Sequence, residues 1–375
     1  MLITRNLPPL VGGMERLVWH LVDELQLNYR VHVVGPSGCG PLLPPGTTFN
    51  EVRLRPLSNY LFHTLLVVMR RSLLQRPHLV VAGSGLTSPF AWMAARISRA
   101  CCVVYLHGLD VEAAHPLYRL LWRPFIRRFD CIVVNSHFTR QLALHIGIPR
   151  HRIKVLHPGV SLPDLDDAKY RRLEFRKRYD LGDSPLLLYV GRLTARKGFA
   201  VFCAEILPSI IERQPDARVV VIGDEPASAL LQEKGERARI EALLALNGLE
   251  QRVLFLGELS RKDPQLSAAY FAADVLVFPV QQRQNDNEGF GMVAIEAAAH
   301  NLPTVAFSVG GVTDAIADNV SGRLISPGDN QAFAQAVIDL LRLSSSNHKL
   351  DCRSFAARFA WPLFGQQLRD LCKIQ

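Results

Sequence analysis

The chain has 375 residues, 49% hydrophobic and 21% charged, which is typical of a globular protein long enough for two domains with separate cores. Seven scattered cysteines without paired spacing argue against a disulfide framework and a zinc site, and favour reduced thiols in a cytoplasmic protein. Through residue 160 there are 18 Lys and Arg against 7 Asp and Glu, and the remainder has 25 against 27, so the net charge of +9 arises in the first half.

The first half alternates short apolar, β-branched runs with helical patterns, which predicts a parallel sheet with crossover helices. A double glycine, Gly12 and Gly13, follows the first strand and precedes a helix that starts near Met14. The predicted strands are Leu2–Thr4, Arg30–Val34, Leu79–Ala82, Cys102–Tyr105 and Cys131–Val134.

Much of the positive charge lies in two apolar, basic segments, Leu61–Arg76 and Tyr118–Phe129. Segments of this composition lie on anionic lipid surfaces, but amphipathic helices that pack on a sheet with basic outer faces have it too. No helix-turn-helix, zinc finger or stacking platform accompanies the charge, so we expect no nucleic-acid partner. No signal peptide is expected, and no apolar run approaches the roughly 18 residues of a membrane-spanning helix.

The second half repeats the same alternation. Its predicted strands are Leu186–Val190, Arg218–Ile222, Val253–Leu256, Val275–Phe278 and Thr304–Phe307. Turn-rich residues around Pro158 and Asp164 mark the joint. We therefore predict an α/β protein of two doubly wound, Rossmann-like domains, 1–165 and 166–354. A final helix at about 355–375, broken at Pro362, is expected to pack back on the first domain.

The most informative motif is the segment Asn287–Glu296, in which Glu288 and Glu296 bracket a Gly-Phe-Gly turn that opens an Ala-rich helix. Gly289 and Gly291 allow positive φ, and the N-H groups at the helix start can then face an anion such as a phosphate. Ionised carboxylates accept hydrogen bonds from hydroxyl-rich groups. If the segment were helical throughout, the two acids would lie roughly 12 Å apart. These features indicate a phosphate between two polyols, as in a sugar nucleotide.

Other candidate residues follow predicted strands, where ligands bind in such folds. Arg192 and Lys197 come directly after Leu186–Val190 and could neutralise a diphosphate. Gly13 could bring backbone close to a phosphate, and His107 follows the strand Cys102–Tyr105. Each of these features by itself is also common on an ordinary surface or in a core.

In chain order, these motifs resemble the retaining glycosyltransferases called group 1 or family 4, across nearly the whole chain. The residues that carry the resemblance are Gly12-Gly13, His107-Gly108, Asn135-Ser136, His157-Pro158-Gly159, Gly191-Arg192, Lys197-Gly198, Glu288 with Glu296, Gly310-Gly311 and Asn319 to Gly322. The resemblance implies the GT-B architecture, in which two Rossmann-like domains face each other across a cleft. The C-terminal domain would bind the nucleotide-sugar and the N-terminal domain the acceptor.

By this resemblance, Arg192 and Lys197 hold the donor diphosphate, Glu288 binds the donor sugar, and Glu296 binds the ribose. Backbone N-H groups of Gly289, Phe290 and Gly291 would contact the diphosphate and sugar, while His107 and Gly13 would act from the other domain. The chain departs from the family at Gly223-Asp-Glu-Pro226, where a Gly-x-Gly turn is common. Base contacts there are therefore in doubt.

The resulting hypothesis is a hexosyltransferase that needs no cofactor and no metal. It would move a hexosyl group from a UDP- or GDP-sugar to a lipid-linked or polysaccharide acceptor in cell-envelope synthesis, including lipopolysaccharide. It would be cytoplasmic, or peripheral on the inner face of the membrane. Alternatives are a transferase to a small soluble acceptor, a sugar-nucleotide epimerase or hydrolase, and a non-catalytic sugar-nucleotide-binding subunit at the membrane.

Overall fold

The computed structural model describes residues 1–113, 115–225, 235–260, 263–344 and 350–373. It divides into two compact units, one containing Met1–Gly159 together with the segment from Trp361 onward, the other Val160–Ala360. The first unit thus ends at Gly159, whereas we predicted its end at residue 165. Val160 already belongs to the second unit, because its N-H donates to the carbonyl of Phe359 at 2.7 Å and it forms a parallel bridge with Ala360.

The first unit contains a seven-stranded parallel sheet in the order β3-β2-β1-β4-β5-β6-β7. Strands β1 and β4–β6 are almost fully buried, as expected for a parallel sheet covered by helices on both faces. Its strands are β1 Leu2–Ile3, β2 His32–Pro36, β3 Thr48–Val52, β4 Leu79–Ala82, β5 Cys101–Leu106, β6 Cys131–Val134 and β7 Ile153–Val155. Its helices up to Gly159 are α1 Gly13–Gln26, α2 Leu57–Gln75, α3 Ser88–Ser98, α4 Gly108–Glu112, α5 Pro116–Leu121, α6 Arg123–Ile126 and α7 His137–His145.

The second unit contains a six-stranded parallel sheet in the order β10-β9-β8-β11-β12-β13. This is the 3-2-1-4-5-6 order of dinucleotide-binding folds, with its switch point between β8 and β11. The strands are β8 Leu186–Val190, β9 Arg218–Ile222, β10 Val253–Phe255, β11 Val275–Phe278, β12 Thr304–Phe307 and β13 Gly322–Ile325. The described helices are α8 Ala168–Arg178, α9 Phe199–Val201, α10 Leu207–Arg213, α11 Glu236–Leu246, α12 Pro264–Ala272, α13 Met292–Ala299, α14 Val312–Ala315, α15 Asn330–Ser344 and α16 Cys352–Ala357.

The last helix, α17, Trp361–Lys373, packs on α1 in the first unit. Trp361 stacks on His20 with ring centroids 3.6 Å apart, and Arg369 forms an ion pair with Glu24. We predicted a helix broken at Pro362, and the tail does divide close to that residue, because α16 ends at Ala357 and α17 begins at Trp361. Pro362 lies in the first turn of α17, where a missing N-H leaves no helical hydrogen bond unmade.

The two apolar, basic segments of the first unit fold differently from each other. The first lies in one long helix, α2, which begins four residues before the segment, at Leu57. The second is divided into α5 and α6, because Pro124 lies in the first turn of α6 and cannot continue the preceding helix. Within the described ranges, no helix is long and apolar enough to cross a membrane.

Candidate active site

The candidate site in the second unit is formed by the loops that follow β8 and β11, the two strands at the switch point. The first loop runs from Gly191 to Gly198 and carries three basic residues. The second runs from Pro279 to Gly291 and carries Glu288. The loops are joined by a backbone hydrogen bond, since the Gln281 N-H donates to the carbonyl of Arg196 at 2.9 Å. Adjacent parallel strands thus bring the predicted acid and bases to one sheet edge.

Glu288 forms ion pairs with two residues of the first loop. Its Oε2 accepts from Lys197 Nζ at 2.8 Å and also from Arg196 Nη1. The three side chains are largely buried, with 14% exposure for Glu288, 12% for Lys197 and 13% for Arg196. Arg196 also contacts Asp286, with Nε 3.2 Å from Oδ1. The result is a compact cluster of two cations and two carboxylates.

The electrostatics of this cluster keep Glu288 ionised. Burial by itself would raise the pKa of Glu288, but the charges of Lys197 and Arg196 outweigh burial and lower it to about 2. The pKa of Lys197 is lowered by burial, although Glu288 opposes that change. A carboxylate with so low a pKa is a poor proton acceptor. Glu288 is therefore suited to stabilising positive charge or accepting hydroxyl hydrogen bonds.

Two glycines shape the backbone around Glu288. Gly291 precedes α13 with φ of +93°, as the sequence predicted, but Gly289 is not among the glycines with positive φ. Gly310 has φ of +56°, and a Cβ there would lie 2.4 Å from the carbonyl oxygen of Glu288. The same carbonyl accepts the Gly311 N-H at 2.8 Å. Phe290 is buried with 2% exposure, so it anchors the turn in the core.

Arg192 stands apart from the cluster. It is exposed at the end of β8, and no hydrogen bond or ion pair of its guanidinium occurs within the described ranges. Its carbonyl accepts from the Tyr189 hydroxyl at 3.1 Å, which fixes the backbone but leaves the side chain in solvent.

Glu296 lies on α13, buried with 6% exposure, and accepts the Tyr270 hydroxyl at 3.0 Å. Our estimate of its separation from Glu288 assumed a helix through both residues, and that assumption was wrong. The helix begins only at Met292, because the Gly-Phe-Gly turn precedes it, so Glu288 lies in the loop.

In the first unit, His107 and Gly13 lie at the corresponding sheet edge. His107 directly follows β5 and caps α4, and its N-H donates to Asp110 Oδ2 at 2.9 Å. Its Nε2 lies 3.1 Å from the carbonyl oxygen of Gly83, and its side chain is buried. Gly13 is the first residue of α1. Burial of Asp110 raises its pKa, although His107 acts in the opposite direction.

Two residues of the cluster, Arg196 and Asp286, were not predicted. Arg196 adjoins Lys197, and Asp286 stands two positions before Glu288. Their positions beside the predicted residues Lys197 and Glu288 could have identified them as candidates. Only the pairing of β8 with β11 shows that the two loops bring these side chains together. The departure from the family at Gly223 is described only in part, since residues 226–234 lie outside the described ranges.

Comparisons with known proteins address both halves of the chain. Residues 184–343 match the family described as Glycosyl transferases group 1, and residues 11–163 match Glycosyltransferase Family 4. The GDP-mannose-dependent alpha-(1-6)-phosphatidylinositol monomannoside mannosyltransferase of Mycolicibacterium smegmatis is 26% identical over 91% of this chain and 88% of its own length. A D-inositol 3-phosphate glycosyltransferase of Corynebacterium urealyticum is 31% identical over 68% of this chain and 58% of its own length.

Among solved structures, Anabaena HepE in complex with UDP-glucose superposes with a TM-score of 0.79 at 20% identity, over 100% of this chain and 99% of that one. This likeness shows the two-domain α/β GT-B fold. Because the two family matches lie in order and together span most of the chain, the protein belongs to the group 1, family 4 glycosyltransferases and is a hexosyltransferase that uses a nucleotide-sugar donor.

Proposed function

We propose that this protein transfers a hexosyl group from a UDP- or GDP-sugar to a lipid-linked or polysaccharide acceptor in cell-envelope glycan synthesis. The transfer retains the anomeric configuration and needs no metal. The observation that carries the proposal is the ionised Glu288 held beside Lys197, with Arg192 exposed on the same loop as Lys197.

Arg192 and Lys197 are proposed to hold the donor diphosphate and to stabilise it as it leaves. Lys197 is paired with Glu288, and we propose that its ammonium turns to the phosphate when the donor binds. Fixed cations directed at the developing charge of a leaving group lower the barrier without reorganisation. Such cations can supply the charge that a metal ion supplies elsewhere, which supports a metal-free reaction.

In the proposed step, the bond between the anomeric carbon and the diphosphate oxygen breaks while the acceptor hydroxyl attacks from the same face. The departing phosphate takes the acceptor's proton, so no protein base is required. The depressed pKa of Glu288 agrees with this assignment, since a carboxylate with a pKa of about 2 takes up a proton poorly near pH 7. Glu288 instead faces the donor sugar and stabilises the positive charge that develops at its anomeric carbon.

The remaining residues are proposed to position the donor. The N-H groups of Gly289, Phe290 and Gly291 precede α13, and a helix N-terminus favours anions. Glu296 is assigned to the ribose hydroxyls. His107 and Gly13 are assigned to the sugar and the phosphate from the first unit.

The choice of UDP or GDP rests on the relatives. One named relative is GDP-mannose-dependent, and HepE was solved with UDP-glucose. A relative named for D-inositol 3-phosphate favours the second candidate, a transferase to a small soluble acceptor.

The lipid-linked acceptor is supported by the outer face of α2. Phe62, Leu66 and Leu73 are 59%, 51% and 64% exposed, and Arg70 is exposed beside them. Apolar side chains flanked by arginine can enter the interface of an anionic membrane. This face would bring the acceptor-binding unit to the lipid surface where such an acceptor lies.

The first test is a thermal-shift screen against UDP, GDP, ADP and their common sugar conjugates, because a ligand of the folded state raises the melting temperature. The donor so identified is then used to compare wild type with Glu288→Gln. We expect the variant to lose hydrolysis and transfer while it keeps nucleotide affinity. Glu212→Gln, an exposed glutamate of α10, is the matched control and should retain activity. Full activity in Glu288→Gln would refute the assignment of this site.

A further inference from the structure

Arg196 has no part in the proposed transfer, yet it contacts both carboxylates of the cluster. Its guanidinium contacts both Glu288 and Asp286, with the latter at 3.2 Å, and its carbonyl accepts the Gln281 N-H at 2.9 Å. It therefore ties the loop after β8 to the loop after β11 through backbone and side chain together. A planar guanidinium has five donors in a fixed fork, which allows two carboxylates to be held at once.

The four charged side chains of the cluster have no net charge. Arg196 and Lys197 provide two positive charges, and Asp286 and Glu288 provide two negative charges. A nucleotide diphosphate adds further negative charge. If Lys197 turns to it, Glu288 loses one of its two partners, and the distribution of charge then depends on Arg196.

We propose that Arg196 is a positioning residue that keeps Glu288 ionised and in place when Lys197 exchanges Glu288 for the donor diphosphate, and that Asp286 fixes the guanidinium in the required orientation. This inference rests on the proposed function, because it takes Lys197 as a ligand of the diphosphate. Arg196 itself remains on Glu288 and does not touch the reacting atoms.

Several other charged or titratable groups act on this cluster. The charges of Glu288 and Arg196 both act on the Tyr189 hydroxyl in β8, but burial raises the pKa of Tyr189 so far that it stays neutral. Arg192 acts on Lys197 from the same loop, and Asp286 acts on Arg196. Within the described ranges, Lys197 and Arg196 are the cations that contact the Glu288 carboxylate. Removal of Arg196 thus leaves Lys197 to satisfy Glu288 and the phosphate together.

The experiment compares Arg196→Met, Arg196→Lys and Asp286→Asn with wild type by two measurements. The first follows the titration of Glu288 by carbon NMR with labelled glutamate, the signal being assigned with Glu288→Gln, both without ligand and with saturating UDP or GDP. The second is the pH dependence of kcat and KM for turnover of GDP-mannose or UDP-glucose. Arg342→Met, an exposed arginine of α15, is the control for loss of charge in the same unit.

We expect the pKa of Glu288 to be higher in Arg196→Met than in wild type by about one to three pH units. Binding of nucleotide should raise it further. In wild type, nucleotide should raise that pKa by less than it does in Arg196→Met. The pH at which kcat falls on the acidic side of its pH profile should be higher in Arg196→Met than in wild type. The effect on kcat should be larger than that on the KM for the donor. Arg196→Lys should restore the Glu288 titration in part, and Asp286→Asn should have a smaller effect than Arg196→Met.

The proposal is overturned if Arg196→Met folds and binds nucleotide but leaves the Glu288 titration and the acidic limb as in wild type. It is also overturned if Arg196→Met and Arg342→Met behave alike. Failure of the proposed function looks different, because wild type would then turn over none of the donors. The titration without ligand would still report whether Arg196 controls Glu288.

Discussion

The two units share one strand order around their switch points, yet the loops after their first strands have different chemistry. In the first unit the loop after β1 is held by neutral contacts and one acid, with Asn6 donating to Thr4 Oγ1 at 2.9 Å and to Glu15 Oε1 at 3.0 Å. In the second unit the loop after β8 carries cations that pair with Glu288. The common topology brings loops to one sheet edge, and side chains decide which chemistry occurs there.

The outer surfaces differ as well. The outward face of α2 in the first unit presents large apolar residues to solvent along its length, whereas α13 of the second unit is buried over most of its length. A helix needs only one apolar face to pack on a sheet. The exposed apolar face of α2 is compatible with the membrane contact proposed above, and the charged edge of the second unit with the proposed diphosphate site.

The largest expected effect tests the charged edge. Lys197→Ala removes one of the two cations that pair with Glu288. The value of kcat/KM should fall by about 10²-fold or more, since each oriented charge contributes that much to leaving-group stabilisation. Steady-state kinetics with the donor found by thermal shift measures this. Lys177→Ala, an exposed lysine of α8, is the control. A loss below about tenfold would place the phosphate elsewhere.

The next effect concerns the backbone behind Glu288. Gly310→Ala should lower the free energy of unfolding by about 1–3 kcal/mol more than Gly182→Ala, as judged by urea denaturation. Both glycines have positive φ, but a Cβ at Gly182 meets no atom within 4 Å, while one at Gly310 meets the Glu288 carbonyl. Comparison of the two variants therefore separates the effect of positive φ from that of steric overlap. Equal decreases in the free energy of unfolding would show that the turn at Glu288 moves to accommodate the Cβ.

A smaller effect is expected on the outer face of the first unit. Replacement of Leu66 and Leu73 by serine should weaken binding to anionic vesicles by about tenfold or more, because apolar area is removed from the interface. Vesicle sedimentation at low and high salt measures it. Leu246→Ser, at a leucine of the second unit that is 81% exposed, should have no effect. Unchanged binding in the double variant would favour the soluble-acceptor alternative.

The smallest effect is one in which both units should behave alike. Burial, with Arg16 nearby in the case of His20, lowers the pKa of His20 and of His300 to about 4. Their contribution to stability is present above the unfolded pKa of about 6.5 and is lost as the pH falls toward 4.

Because of each histidine, the free energy of unfolding should fall by about 1 kcal/mol between pH 7 and pH 5.5. Urea denaturation across that range measures this decrease. His300→Gln should reduce this dependence, while the control His151→Gln, at an exposed position, should not. A pH dependence unchanged in His300→Gln would show that another group is responsible.

The sequence predicted the central strands well and missed three of the four edge strands, the exception being β10, which was predicted one residue too long. β4, β6, β8, β9, β11 and β12 occupy the predicted residues, because strands buried on both faces are continuous apolar runs. The missed strands β3, β7 and β13 are all edge strands, and β3 is mostly exposed. Their mixed composition carries no such signal. β2 was predicted at Arg30–Val34 but lies at His32–Pro36.

By itself, the sequence determined the two parallel-sheet units, the family, and the presence of Glu288, Lys197, Arg192 and His107 after strands. These follow from local apolar runs, from glycine turns and from motif order along the chain. Only the tertiary structure decided that Lys197 pairs with Glu288, that Arg196 and Asp286 join them, and that Arg192 does not. Those relations depend on which strands pair side by side, and a contact between residues some 90 positions apart leaves no mark on local sequence.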